Sequence, residues 1–595
     1  MEKTAFIIAI LTGIIFTSMC CRIDSSEIET AGMPKTHRES TNSQYGTYLA
    51  GRVAYMRHDL NRAADYYMRV SKDTPKTQML PSVLYVMLTS QGRIDEAVKY
   101  ADQAMENNDP SPFIHTVKAV YEAKHQNFNN VLNYIKHSDD ELFAPLMTAW
   151  AYAGIAKYDA ALNALGKMLK NPALRAVYLF HAGAISDYCG KNTEADKYYS
   201  LLLDLPKTEL SVFPAQVIAN FYNRQGNADK IEKVLQKMGD ETNMMITLAK
   251  QQIKSLDSSS APILTSPAVG MADALFGIAL ILQHEESIEQ IPMLFASLAA
   301  YLNEDYDLPQ IFIGNLWDNN KLYREANKAY AKVKPDQIGY YAAQFQIGKN
   351  LLMLKEYTQS EAIFKRLLRN FEPTQEVYIT LGELMRATSR YRQSIRYYNE
   401  SLDFFDDEKE SWAVLFAIGI AYDRMGDYDA AEKYFRLADE HSPTEILKNY
   451  IGYTLIRQGK NIEEAFELLI AAYMEEPLEG TIVDSMGWAF YQIGDYERAI
   501  TFLERASNLA PSEALIYDHL GDAYWEAGRK DEAYFQWNHA AALKDDSEEM
   551  DKDIVLQKIK NGKQPHIPVS YDRKKVEELI EKSGVLEREK YWSEK

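Results

Sequence analysis

Twelve residues in the last quarter of the chain fall into three sets with one spacing. They are Ile446, Asn449, Tyr453 and Ile456; Thr481, Asp484, Trp488 and Tyr491; and Leu515, Asp518, Asp522 and Trp525. Within each set the steps are three, four and three residues, which a helix brings onto one face. The chemistry of these faces is recognition. Tyr453, Trp488, Tyr491 and Trp525 offer ring walls, Asp484, Asp518 and Asp522 offer carboxylates for Lys or Arg, and Asn449 offers a donor and an acceptor for a peptide backbone. An aromatic surface edged by polar groups suits an extended peptide or a partner helix. Rings beside carboxylates also suit sugars, so a glycan-binding module stays open. Packing of Trp488 between units, with Asp484 and Asp518 simply solvated, is the plainer alternative.

Reaction chemistry has no comparable footing. There is no phosphate loop, His-Glu-x-x-His, paired-Cys motif or nucleophile elbow. The 11 His are scattered; His519 and His539 fall in one repeat, where packing or surface roles are the usual ones. The expectation is a protein that is not an enzyme and uses no cofactor and no metal.

The elements that must position these faces follow a 34-residue beat. Gly314, Gly348, Gly382, Gly419, Gly452, Gly487 and Gly521 are separated by 34, 34, 37, 33, 35 and 34 residues. Ala326, Ala362, Ala431, Ala499 and Ala533 follow most of them by about a dozen positions. A fixed period of this size marks a stacked array. In 480–513 the order is Gly487, Phe490, Gly494, Tyr496, Ala499, Leu503, Ala506 and Pro511. In 412–444 it is Gly419, Tyr422, Gly426, Tyr428, Ala431, Phe435, Ala438 and Pro443. Small residues let two antiparallel helices approach, and aromatics fill the space between units. Gly426, Gly494 and Gly528 turn the first helix, and Pro443, Pro477 and Pro511 stop the second.

This pattern resembles the tetratricopeptide repeat. The resemblance implies an all-α solenoid of antiparallel helix pairs, with the first helix of each unit lining a concave surface, so the three faces would form one groove. A clamp of Lys, Arg and Asn for a carboxylate, as in chaperone-binding relatives, is missing: Asp484, Asp518 and Asp522 stand there instead. The first half is more worn. Gly51, Ala63, Tyr67 and Pro75 fit one unit, Gly92, Ala97 and Ala104 another, then Ala149, Tyr152, Tyr158 and Ala161, then Gly183, Gly190, Ala195 and Tyr199. Degenerate helix pairs are expected in 111–141, 209–256 and 270–306.

Composition narrows the partners. The net charge is -20 and the pI near 5.2, without the basic footprint that nucleic acid requires. At the N-terminus Lys3 precedes an apolar run, Ala5 to Phe16, and then Cys20-Cys21. The run is short for a membrane span and fits the core of an export signal. The cysteines give it the look of a bacterial lipoprotein signal, with Cys20 or Cys21 lipidated; an ordinary signal peptide and an uncleaved anchor are the alternatives. Cys189 is the one other cysteine, expected as a small hydrophobe within a repeat helix. No disulfide framework can be built from it.

The expected organisation is a signal at 1–21, a polar linker at 22–44 and a degenerate repeat array at 45–256. A Ser/Pro-rich linker at 257–269, a second array at 270–545 and a charged helical tail or cap at 546–595 complete it. In the tail, Ile554, Ile559, Val576, Leu579 and Ile580 are the expected apolar contacts. The stretch Val483 to Tyr491, with Asp518 to Trp525 and Phe535-Gln-Trp537, resembles long exported proteobacterial repeat (lipo)proteins. Some of these bind carboxyl-terminal processing proteases and help them degrade cell-wall hydrolases. The resemblance implies an envelope scaffold with protein partners, one of them a protease of that kind with its clients. A fixed component of an assembly or secretion machine is the alternative.

Overall fold

A computed structural model of the chain describes residues 44–57, 59–73, 79–109, 111, 113–136, 142–206, 209–239, 244–283, 290–543 and 550–593. The expected signal, with Cys20 and Cys21, lies outside the described residues. Within them the regular structure is helical, apart from one bridge between Leu210 and Met238. Consecutive helices fold back on each other in pairs, and each pair packs on the next. The chain is an all-α solenoid, as its period predicts.

The glycine beat has a direct structural cause. Gly314, Gly348, Gly382, Gly419, Gly452, Gly487 and Gly521 lie under Tyr330, Phe364, Tyr398, Phe435, Leu469, Leu503 and Trp537 of their own second helices. A Cβ on any of them would come within 2.3–2.8 Å of that side chain. The large partner follows its glycine by 16 residues in six units and by 17 in the unit of Gly452. Phe435 also reaches Tyr450 of the next unit, at 5.4 Å, so one ring serves both contacts. Gly426, Gly494 and Gly528 take φ of +77°, +84° and +81° where the first helix ends. Asp495 N–H then closes on Phe490 O at 2.9 Å.

The first half is organised differently from its expected division. One buried cluster runs from Ala54 to Ala329 without a break at 257–269. The helices Pro267–Leu282 and Gln290–Leu302, assigned by sequence to the second array, pack into the first. Pro267–Leu282 lies against Phe143–Gly154, and Gln290–Leu302 against Met79–Ser90 and Phe113–Lys124. Gly270 sits on Trp150, where a Cβ would meet the indole at 2.1 Å. Phe295 contacts Phe113 and Phe143 edge-on at 6.2 Å. Ser297 Oγ donates to Ser90 O at 3.0 Å, and Tyr301 Oη to Asp95 at 2.9 Å. An enclosed helix is apolar all round, which accounts for the sequence Pro-Ala-Val-Gly-Met-Ala-Asp-Ala-Leu-Phe-Gly-Ile-Ala-Leu-Ile-Leu. No helix among the described residues is long and apolar enough to cross a membrane. Cys189 caps the helix Arg175–Tyr188 rather than lying inside it; it is half-buried, and burial raises its thiol pKa.

Candidate protein-binding groove

The three predicted faces come together on the first helices of the last units, Glu445–Gln458, Gly480–Gln492 and Ala514–Glu526. Their centre is a ladder of rings. Trp488 stacks on His519 at 3.9 Å and on Tyr491 at 4.6 Å, with planes 19° and 12° apart. His566 packs on Tyr491 in turn, at 4.4 Å with the planes 33° apart. Tyr453 approaches His519 at 6.4 Å. Asp484 is 5% exposed and receives His519 Nδ1 at 3.0 Å from both oxygens. Among the described residues, two buried atoms of this face have no hydrogen-bond partner: Asn449 Oδ1 and Trp488 Nε1.

The carboxylates are neither solvated nor open. Lys558, on the tail helix Lys552–Asn561, donates to Asp518 at 2.7 and 2.8 Å and pairs with Asp522 at 2.8 Å. Asp522, 3% exposed, also accepts Trp537 Nε1–H at 3.1 Å. Burial and the neighbouring Asp518 raise the pKa of Asp522 against the pull of Lys558. Burial opposes the Lys558 ammonium in turn, but Asp522 and Asp518 together outweigh it and hold its pKa above the ordinary lysine value. Lys563 donates to Tyr491 Oη at 2.6 Å and pairs with Glu526 at 3.3 Å. Burial, then the charges of Asp522 and Glu526, push the Tyr491 phenol far up, so it meets Lys563 as a neutral acceptor. Trp525 is half-buried beside Trp537, and its ring lies where a Cβ on Gly562 would meet it at 2.6 Å.

The tail continues from there as a strap. His566 N–H donates to Glu526 at 2.8 Å and Val569 N–H to Gln492 O at 2.9 Å. Pro568 lies over Gly494 and Val569 over Gly459. The strap crosses to the outer helices, where Arg573–Ser583 and Val585–Ser593 pack against Ile462–Glu475. There Val576, Ile580 and Val585 are buried, Arg498 meets Glu577 at 3.1 Å, and Arg505 and Tyr473 engage buried Glu589. Lys552–Asn561 itself packs on the last repeat helix, Lys530–Ala542. Ile554 is exposed, against expectation, and Val555 makes the buried contact instead.

The inner positions named from the sequence lie together on three helices, and the segment that faces them was not anticipated. His519 carried a partial signal, one place after Asp518 on the same helix. Lys558, Lys563 and His566 carried none, since they lie 40, 72 and 75 residues from Asp518, Tyr491 and Tyr491.

Helix pairs stacked on one another define a repeat solenoid. Residues 487–528 match the family described as TPR repeat, and 413–444 the family described as tetratricopeptide repeat. These two segments carry tetratricopeptide repeats, which generally serve as protein–protein interaction scaffolds, and the solenoid around them has the matching fold. Among the described residues no group of three or more His, Cys, Asp or Glu could hold a metal ion. A TPR repeat-containing protein of Pseudomonas aeruginosa, PA4667, is 26% identical over 219 residues, which span 36% of each chain. Among solved structures, a tetratricopeptide repeat protein from Parabacteroides merdae aligns over 43% of this chain and 98% of its own, with 14% identity and a TM-score of 0.38. The Cut9–Hcn1 hetero-tetramer of APC/C aligns over 92% and 94%, with 12% identity and a TM-score of 0.31.

Proposed function

We propose that this protein is a non-enzymatic adaptor of the bacterial envelope that takes a segment of a partner protein on the inner face of its C-terminal repeats. The observation that carries the reading is the face itself. It grips one stretch of polypeptide through lysines, ring stacking and main-chain bonds. The resemblance to exported repeat lipoproteins supports a periplasmic carboxyl-terminal processing protease and its clients as the partners. The test is capture from the native envelope with the parent chain and with Trp488→Ala. The reading expects protease and client proteins with the first and their loss with the second. A fixed set of outer-membrane components, retained by both, would favour a machine component instead.

The N-terminal Lys3, apolar run and Cys20-Cys21 support a lipid anchor facing the periplasm. Changing both cysteines to Ser should release the protein from membranes and stop incorporation of labelled fatty acid. Unchanged membrane association of the double variant would count against lipidation and for a retained helix.

A further inference from the structure

We infer that residues 552–569 are a ligand held in cis, and that the partner segment which replaces them carries lysine into the notch of Asp518, Asp522 and Glu526. The inference rests on the binding role proposed for this face.

Two halves of the tail are held by different physics. The outer half, 573–593, is anchored by buried Val576, Ile580 and Val585. The inner half fully buries one aliphatic side chain, Val555, and packs Ile559 and Val569 partly against the same core, while Ile554, Leu556 and Ile567 face solvent, Ile567 at 86%. Its charged and ring contacts are Lys558 on Asp518 and Asp522, Lys563 on Tyr491 and Glu526, and His566 on Tyr491. With one fully buried aliphatic side chain against three in the outer half, the inner half releases first, and the anchored outer half keeps it tethered. The notch holds three carboxylates against two ammonium groups, so it selects cationic side chains over acidic ones. A partner segment that brings lysines to the same carboxylates competes with the strap for one site. Tethering gives the strap a local concentration on the order of millimolar, so weak ligands are excluded and a tighter lysine-bearing segment displaces it.

The experiment uses the full chain and a labelled peptide of sequence 552–569 as the probe. Two variants release the strap by separate routes. Lys558→Ala/Lys563→Ala removes its charges, and Gly562→Val drives a Cβ into Trp525 at a φ of +72°. Both should bind the probe at least about tenfold tighter than the parent chain, because the competitor in cis is gone. Adding Asp518→Asn/Asp522→Asn to either should abolish that gain. Hydrogen exchange should rise over 552–569 and stay unchanged over 573–593. Equal probe binding by the parent and both variants overturns the inference, as does a gain that survives loss of the two carboxylates. The captured partner separates this failure from that of the binding role. A partner that ignores the strap variants but is lost by Trp488→Ala leaves the face as the site and removes the strap as its competitor.

Discussion

The buried pair His181 and Asp273 shows how far single residues here are governed by enclosure. They face each other at 3.9 Å where the hairpin helix Pro267–Leu282 meets the first array. Burial pushes His181 down to about 3 and Asp273 up to about 7. Trp150 Nε1–H donates to His181 Nδ1 at 3.2 Å, and Tyr306 Oη donates to Asp273 at 3.2 Å. From pH 3 to 6.5 the unfolded chain takes up a proton at position 181 that the folded chain refuses, so this group makes stability rise with pH. From pH 3.8 to 7 the unfolded chain releases a proton at position 273 that the folded chain keeps, so that group makes stability fall with pH. Each slope is at most about 1.4 kcal/mol per pH unit, and over the shared window they oppose. Relative to the parent, Asp273→Asn should therefore gain stability as pH rises from 3.8 to 6.5, and His181→Gln should lose it. Urea midpoints across that range test the pair, and slopes of the same sign in both variants would contradict it.

Helices and turns were the most legible scale, because the repeat writes its packing into small residues. Gly521 must stay small under Trp537 and Gly487 under Leu503, and that constraint recurs once per unit. The first array looked worn for a related reason. Its inner helices face the hairpin instead of water; Phe143–Gly154 is buried from Phe143 to Met147 and again at Ala149, Trp150 and Ala151. Polar and aromatic groove positions have no place there, so the glycine-and-ring contact of the period survives at Gly51 under Tyr67 and Gly183 under Tyr199. The Ser/Pro stretch before Pro267 marked a real interruption of helix, but it gave no direction for the chain beyond it. Seating of the hairpin depends on the contact of Gly270 with Trp150. Gly270→Val should unseat it, since overpacking costs about 1–3 kcal/mol before any rearrangement. Hydrogen exchange should then loosen 267–282 and 290–302 together with 79–90, 113–124 and 143–154, and leave 480–542 protected. Loosening confined to 480–542 would contradict the packing described.

At the scale of the whole molecule the chain covers two inner surfaces with its own segments, a hairpin in the first array and a strap across the end of the second. The hairpin is sealed by a continuous apolar core, while the strap is seated by ions and rings. The two surfaces are thus unequal candidates for a partner, and the second is the one that can open. That distinction was beyond the sequence. Asp518 and Asp522 announce a cation at i and i+4, but nothing along 40 residues says that the cation is Lys558 of the same chain. With a net charge of -20, long-range attraction favours basic segments at low salt, and screening over about 8–10 Å removes most of it at physiological ionic strength. The ring ladder then has to supply the affinity that salt does not remove. The most direct measurement is the Kd of the captured partner for the parent chain and for Trp488→Ala, with folding checked by circular dichroism. Truncating a central aromatic anchor typically costs about 2 kcal/mol or more, so the account predicts a roughly thirtyfold weaker Kd. A folded Trp488→Ala chain that binds as tightly as the parent would contradict it.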